Sequence, residues 1–296
     1  MAKKRKNNSL SYYVLDVFAE HRYQGNPLAV VVTDNDLSLS DYKNISKEFG
    51  YSETSFIQYS ETENTLSVRS FTPTGFEING VGHNLLGAVH AVLFNEKKFK
   101  LDLGKIPKII MKEKPVSISI SNDVISMAQQ PANIKTIVSS SEIAEALSVP
   151  EDKLQVKNLK PTVVKTEVAH LIVPLEGVET LNMSKPDKVL LKNLANTYGF
   201  QGVYCFSFIR NGVDIIAKTR FFNPGIGIDE DPATGSAAGP LIGLLHKKGY
   251  LMKNKEYKLL QGEKMGRPSY IHGKVTDDGI LIGGTTVITM EGTLQL

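Results

Sequence analysis

RFFNPGIGIDEDPATGSAAG, residues 220–239, is the stretch that decides how this chain folds. A strand-like run over Val213–Phe222 passes through Asn223-Pro224-Gly225 and the three acids Asp229-Glu230-Asp231. Pro232-Ala233-Thr234-Gly235-Ser236 follow, and the chain then enters Ala237–Leu245, AAGPLIGLL, a run with no polar face. A helix that is apolar all round belongs inside a core, and Pro240 fits it near the first turn. Its start is expected to present free backbone N–H groups and a positive dipole end beside Thr234, Gly235 and Ser236. That is a ready site for an anion such as a substrate carboxylate.

The same arrangement occurs earlier. Phe71-Thr72-Pro73 answers Phe222-Asn223-Pro224, and Gly80-Val81-Gly82-His83-Asn84 precedes a second apolar run, Leu85–Phe94. Phe71 to His83 and Phe222 to Thr234 are both 12 residues. Upstream, 39–58 reads as an amphipathic helix, a glycine stop and a strand, and 186–206 reads the same way. With Gly50 aligned to Gly199, the distances to the FxP segments are 21 and 23 residues. Order and spacing agree over four elements, which implies two copies of one domain.

The chain of 296 residues is long enough for two such cores. Its 41% apolar and 22% charged residues are those of a soluble globular protein. No run is long enough to span a bilayer, and the N-terminus carries no signal-peptide apolar region. The single cysteine, Cys205, rules out an intrachain disulfide and a CxxC metal site, and the cytoplasm is the expected location. The net charge of +3 misleads, because Lys3, Lys4, Arg5 and Lys6 supply four positive charges. The remaining 30 basic residues face 31 acidic ones, so the body is no nucleic-acid surface. The basic segment reads as a solubilising terminus.

Along the chain, strands are expected at Tyr12–Phe18, Leu28–Thr33, Thr54–Tyr59, Thr65–Phe71, Ile109–Met111, Val116–Ile120 and Val124–Ala128. Pro131–Ser140 reads as the crossing between halves, followed by a short helix at Ser141–Leu147 and strands near Val163–Lys165 and His170–Val173. The fold class is α+β: two pseudo-symmetric domains, each a mostly antiparallel, barrel-like sheet around an apolar helix. The expected boundaries are residues 1–125 plus 285–296 for the first domain and 126–284 for the second.

Three residues carry candidate chemistry. Glu53 stands between a helix stop and a strand where the second copy has Gly202, so an acid in one copy alone implies an asymmetric task. His83 lies at the mouth of the first apolar helix, where a neutral imidazole can exchange a proton or simply cap the helix. Asp231 lies at the mouth of the second, comfortable beside a helix N-terminus. If the halves face each other, these groups and both helix ends converge on one cleft.

Several ordered motifs are similar to those of the PhzF-like phenazine-biosynthesis family. They are Asp16-Val17-Phe18 with Gly25-Asn26-Pro27, Ser52-Glu53-Thr54, Phe71-Thr72-Pro73 with Gly82-His83, and Glu230–Ala237. Gln261-Gly262 with Met265–Ser269 and the final glycine-rich strands extend the resemblance over nearly the whole chain. It implies a diaminopimelate epimerase-like fold with the active site between two domains. It also implies a proton-shuttling glutamate at Glu53, assistance from His83 and Asp231, and a lining at Gly82, Gly235 and Ser236. Asn84 and Thr234 complete the expected substrate-binding set. The epimerases of this fold use two cysteines, which this chain lacks. Asn84 replaces the family's proline, so substrate preference is not carried over.

The expected activity is therefore a cofactor-independent isomerase moving a proton within a small carboxylate-bearing metabolite. No metal and no cofactor are expected, since Gly80-x-Gly82 lacks the rest of a dinucleotide fingerprint. The alternatives are an epimerase or lyase acting on another amino or hydroxy acid, and a non-catalytic ligand-binding member of the fold. The expected partners are the small substrate and a second copy of the chain in a homodimer, with no nucleic acid and no membrane.

Overall fold

The computed structural model describes residues 9–78, 82–94, 107–209 and 215–296. Lys3–Lys6, Gly80-Val81 and Val213-Asp214, singled out above, lie outside the described residues. The first sheet contains β1 (Ser9–Val17), β2 (Asn26–Val32), β3 (Thr54–Ser60), β4 (Thr65–Phe71), β5 (Glu77–Ile78), β6 (Lys108–Met111) and β7 (Lys114–Val116). The second contains β8 (Ile118–Ser121), β9 (Val124–Gln129), β10 (Asn133–Ile137), β11 (Thr162–Lys165), β12 (Ala169–Pro174), β13 (Val203–Phe208) and β14 (Ile215–Asn223). It continues with β15 (Ile228–Asp231), β16 (Glu256–Gln261), β17 (Ser269–Val275) and β18 (Ile280–Gly284). The last strand, β19 (Thr286–Gln295), returns to pair antiparallel with β1.

The duplication is explicit in the pairing. The first sheet runs β19-β1-β2-β3-β4-β6-β7, and the second contains β10-β11-β12-β13-β14-β16-β17 before continuing through β18, β9 and β8. Direction also repeats: β2–β3 and β4–β6 are parallel, as are β12–β13 and β14–β16. Each parallel pair of strands is joined by a helical crossover, as a parallel connection requires. Helix α1 (Leu39–Phe49) links β2 to β3. Helix α3 (Ser140–Leu147) lies in the β10–β11 connection, and α4 (Val178–Met183) and α5 (Lys188–Tyr198) link β12 to β13.

The two apolar helices are α2 (His83–Phe94) and α6 (Gly235–Lys247). Leu85, Leu86, Ala88, Val89, Ala91 and Val92 of α2 are at most 1% exposed, and Ala237, Ala238, Leu241, Ile242, Leu244 and Leu245 of α6 match them. Helix α2 packs on β1, β2 and β3, and α6 on β17, β18 and β12. These residues join one core cluster that runs through both halves. Each sheet thus buries a helix that has no face to give to water.

The structure corrects several expectations. Helix α6 begins at Gly235, so Pro240 is its sixth residue, in the second turn. There it lacks the N–H that would bond the Ser236 carbonyl. The segment 116–120 is two strands, β7 and β8. The chain changes sheets between them, so 118–125, read with the first half, stand in the second sheet. Pro131–Ser140 is no crossing, because β10 lies within it and pairs with β11. Strand β10 is an edge whose residues are exposed except for a half-buried Ile134, so no apolar alternation marks it in the sequence.

Candidate active site

Glu53 follows the left-handed Gly50 that caps α1 (φ 67°) and precedes β3; Gly202 follows the equally left-handed Gly199 (φ 70°) and precedes β13. Within β3, period-2 alternation puts Ser55 and Ile57 on one face. Ile57 joins the core around α2, and Ser55 Oγ donates to the Asn84 carbonyl at the start of α2, 3.1 Å away. Glu53 is part-buried as a residue, but its Oε2 is enclosed without a hydrogen-bond partner among the described residues. Burial first, and the Asp231 charge second, push its pKa from the ordinary 4.5 up to about 8.

Asp231 closes β15, which is pinned to β14 through Phe221. Strand alternation turns its neighbour Glu230 to the opposite side. There Arg220 holds Glu230 with two parallel bonds, 2.8 Å from Nε and 2.9 Å from Nη2. Arg220 Nη1 donates to the Leu181 and Ser184 carbonyls at 3.0 and 2.8 Å, and Asp229 pairs with Lys188 at the surface. Of three consecutive acids, one anchors the strand, one is solvated and one, Asp231, meets the other half. Asp231 Oδ1 accepts from Asn26 Nδ2 at 2.9 Å, and its Oδ2 accepts from the Thr234 hydroxyl. Burial raises its pKa to about 6, against the lowering effect of these donors.

His83 is the first residue of α2, and its Nε2 lies 3.4 Å from Ser52 Oγ. Burial pushes its pKa down to about 4, so the ring is neutral at physiological pH. Ser52 Oγ also lies 3.5 Å from Asn26 Oδ1. A polar chain therefore runs His83–Ser52–Asn26–Asp231–Thr234 from one helix mouth to the other. His83 and Asp231 do not hold equivalent places: His83 opens its helix, whereas Asp231 ends the strand before α6.

The expected binding residues divide. The Gly82 N–H and the Leu85 N–H both donate to Asn84 Oδ1, at 2.8 and 2.9 Å, so this carbonyl is spent on the start of α2. The Thr234 N–H donates to Gln261 Oε1 at 3.2 Å. The Gly235 and Ser236 N–H groups have no hydrogen-bond partner among the described residues. They are what the second helix offers an anion, and Ser236 is partly exposed. Cys205 is buried, with its thiol pushed up to about 12, and packs into the separate core under α3 and α5. Among the described residues no group of three or more His, Cys, Asp or Glu could hold a metal ion.

Asn26, Ser52 and Gln261 complete the site and carry no chemical role in the sequence reading. Their signal was their place inside the quoted motifs, where the buried amides of Asn26 and Gln261 need partners. A second junction supports Asn26. Arg267 reaches from the second half to the Gly25 carbonyl (2.8 Å), the Gln24 carbonyl (2.7 Å) and Asp16 Oδ1 (2.5 Å), which locks the turn ahead of Asn26.

Two similar sheets, each wrapped around an apolar helix, define an epimerase-like fold. The solved PhzF-family protein of Bacillus anthracis superimposes with a TM-score of 0.84 at 23% identity, covering 98% of this chain and 100% of that one. A hydroxyproline epimerase of Agrobacterium vitis shares the fold at a TM-score of 0.61 and 9% identity, over 99% of this chain and 94% of that one. The family model described as phenazine biosynthesis-like protein matches residues 15–292, and the chain belongs to that family of isomerases. It is 30% identical to the trans-2,3-dihydro-3-hydroxyanthranilate isomerase of Pseudomonas aeruginosa, over 93% of this chain and 94% of that protein. It is 29% identical to an uncharacterised isomerase of Clostridium acetobutylicum, over 96% and 97% respectively.

Proposed function

We propose that this enzyme moves a proton between two carbons of a small, carboxylate-bearing metabolite in the cleft between its halves, with Glu53 as the shuttle. The observation that carries this reading is the Glu53 carboxyl, enclosed at Oε2, unpartnered there and raised to about 8 beside Asp231. A carboxylate poised near neutral pH is a far stronger base than a solvated one and still a usable acid. In its ionised form Glu53 takes a proton from one carbon; as the carboxylic acid, whose proton exchanges with solvent, it delivers a proton to another, so no net proton is consumed. The free N–H groups of Gly235 and Ser236 would hold the substrate carboxylate at the positive end of α6. Asp231 keeps Glu53 basic by its charge, and neutral His83 with Ser52 lines the opposite mouth.

The Pseudomonas aeruginosa relative makes trans-2,3-dihydro-3-hydroxyanthranilate the first substrate to test. Incubation in D₂O, followed by mass spectrometry, reads deuterium entering the substrate or product. The parent enzyme should wash deuterium in. Glu53→Gln keeps size and hydrogen bonding but cannot cycle a proton, so it should abolish the exchange while still binding ligand. Exchange by Glu53→Gln at the parent rate would move the shuttle elsewhere.

A further inference from the structure

We propose that Gln261 is a positioning residue that orients the Thr234 hydroxyl and so holds Asp231 in the cleft as a hydrogen-bond acceptor. Gln261, the last residue of β16, is fully buried. Its side-chain amide makes four bonds, which is all that two lone pairs and two N–H groups allow. Oε1 accepts from the Tyr204 hydroxyl at 2.9 Å and from the Thr234 backbone N–H at 3.2 Å. Nε2 donates to the Asp231 backbone carbonyl at 2.7 Å and to Thr234 Oγ1 at 3.0 Å.

Two of these partners have no choice of role. A backbone N–H only donates and a backbone carbonyl only accepts, so together they fix which end of the amide is oxygen. The rest follows in order. Nε2 must donate to Thr234 Oγ1, so the hydroxyl's own hydrogen is directed to Asp231 Oδ2. On the other side the Tyr204 hydroxyl must donate to Oε1, so it accepts from Thr219 Oγ1, 3.0 Å away. A one-way relay therefore runs from Thr219 through Tyr204, Gln261 and Thr234 to Asp231. It ends on a carboxylate oxygen that receives a hydrogen and has no role as donor.

The other oxygen of Asp231 receives Asn26 from the opposite half. Both oxygens are thus satisfied as acceptors, which favours the ionised form. Among the described residues, the titratable groups facing Asp231 are Glu53, just before β3, and Tyr204 from β13, with His83 beyond Ser52 and Asn26. None of them is a cation at neutral pH. Among the described residues, donors alone therefore hold the negative charge that keeps Glu53 basic.

The inference rests on the proton-transfer reading only for its consequence. It is tested without substrate, by following the carboxyl ¹³C titration of Asp231 in the whole chain, assigned by its loss in Asp231→Asn. Thr234→Val removes the terminal donor and should raise the Asp231 midpoint by about one pH unit, whereas Thr234→Ser should restore the parent value. Gln261→Met should raise the midpoint in the same direction, and should add nothing in the Thr234→Val background because it acts through that hydroxyl. If Gln261→Met does not fold, Tyr204→Phe keeps the ring and loosens the amide, and the same non-additivity applies. An unmoved midpoint in these variants, or a shift that adds in full to that of Thr234→Val, overturns the relay. Deuterium exchange lost in Glu53→Gln would meanwhile leave the proposed function standing.

Discussion

Asn26 and Asp231 lie 205 positions apart in the chain and meet across the two halves, with Nδ2 of one 2.9 Å from Oδ1 of the other. The same Nδ2 donates to the Ala233 carbonyl at 3.1 Å. One amide thus supports the acid of the opposite half and the turn that leads into α6. Asn26→Ala should lower kcat/KM roughly 10- to 100-fold, the cost of a lost bond to a charged group. Measured kinetics within a factor of two of the parent would show that the contact is dispensable.

The pH profile follows from the directions of the shifts. Glu53 is raised to about 8 and must be ionised to accept a proton, so only about a tenth of it is competent at pH 7. If abstraction is the first step, kcat/KM should climb between pH 6 and 8 and level off above. Asp231→Asn removes the neighbouring charge that raises Glu53, so the limb should move to lower pH even as the plateau falls. A profile that instead declines above pH 8 would mean that the acid form of Glu53 acts first. Because two coupled carboxyls share the site, the limb reports the pair.

The same group should cost stability. A carboxyl whose folded pKa lies above its unfolded value is tolerated below the unfolded pKa, and its stabilising neutral form is lost as pH rises through the folded pKa. For Glu53 that window runs from about 4.5 to about 8. Glu53→Gln carries no charge at either end, so its Tm advantage over the parent should be roughly 3–5 °C larger at pH 9 than at pH 5. His83, lowered to about 4, destabilises both proteins alike in acid and cancels in the difference. Equal Tm differences at the two pH values would mean that Glu53 is better solvated than its enclosed Oε2 implies.

Much of this was legible in the sequence for a physical reason. Two helices without a polar face have one place to go, and their repeated spacing from FxP and from Gly50 or Gly199 exposes the duplication. Glu53 stood out in the sequence because its copy is glycine. The support of Asp231 was not, because Asn26, Tyr204, Thr219 and Gln261 come from four different strands, and only the sheet order brings them together. Strand β10 was missed for the converse reason. It is held by backbone pairing at an edge, and its side chains carry no pattern. The free N–H groups at α6 were expected, but Asn84 folds back onto Gly82 and Leu85, a local choice that spacing does not encode.

In the second copy Gly202 stands where Glu53 stands in the first. A Cβ built there would lie 2.3 Å from Phe221 Cζ, 2.6 Å from Phe221 Cε2 and 3.1 Å from the Phe222 carbonyl. The Phe221 ring therefore fills the space that a side chain at 202 would need, and it packs edge-on against His170 and Tyr204. Gly202→Ala should destabilise the protein by about 1–3 kcal/mol, the usual cost of overpacking. Phe221→Leu should cost stability by itself, through a cavity beside His170. Combined with Gly202→Ala, however, it relieves the clash, so the double variant should lose less than the two single losses summed. Thermal and urea unfolding of the three variants checks this. Strict additivity would show that the ring is not what excludes a side chain from the second copy.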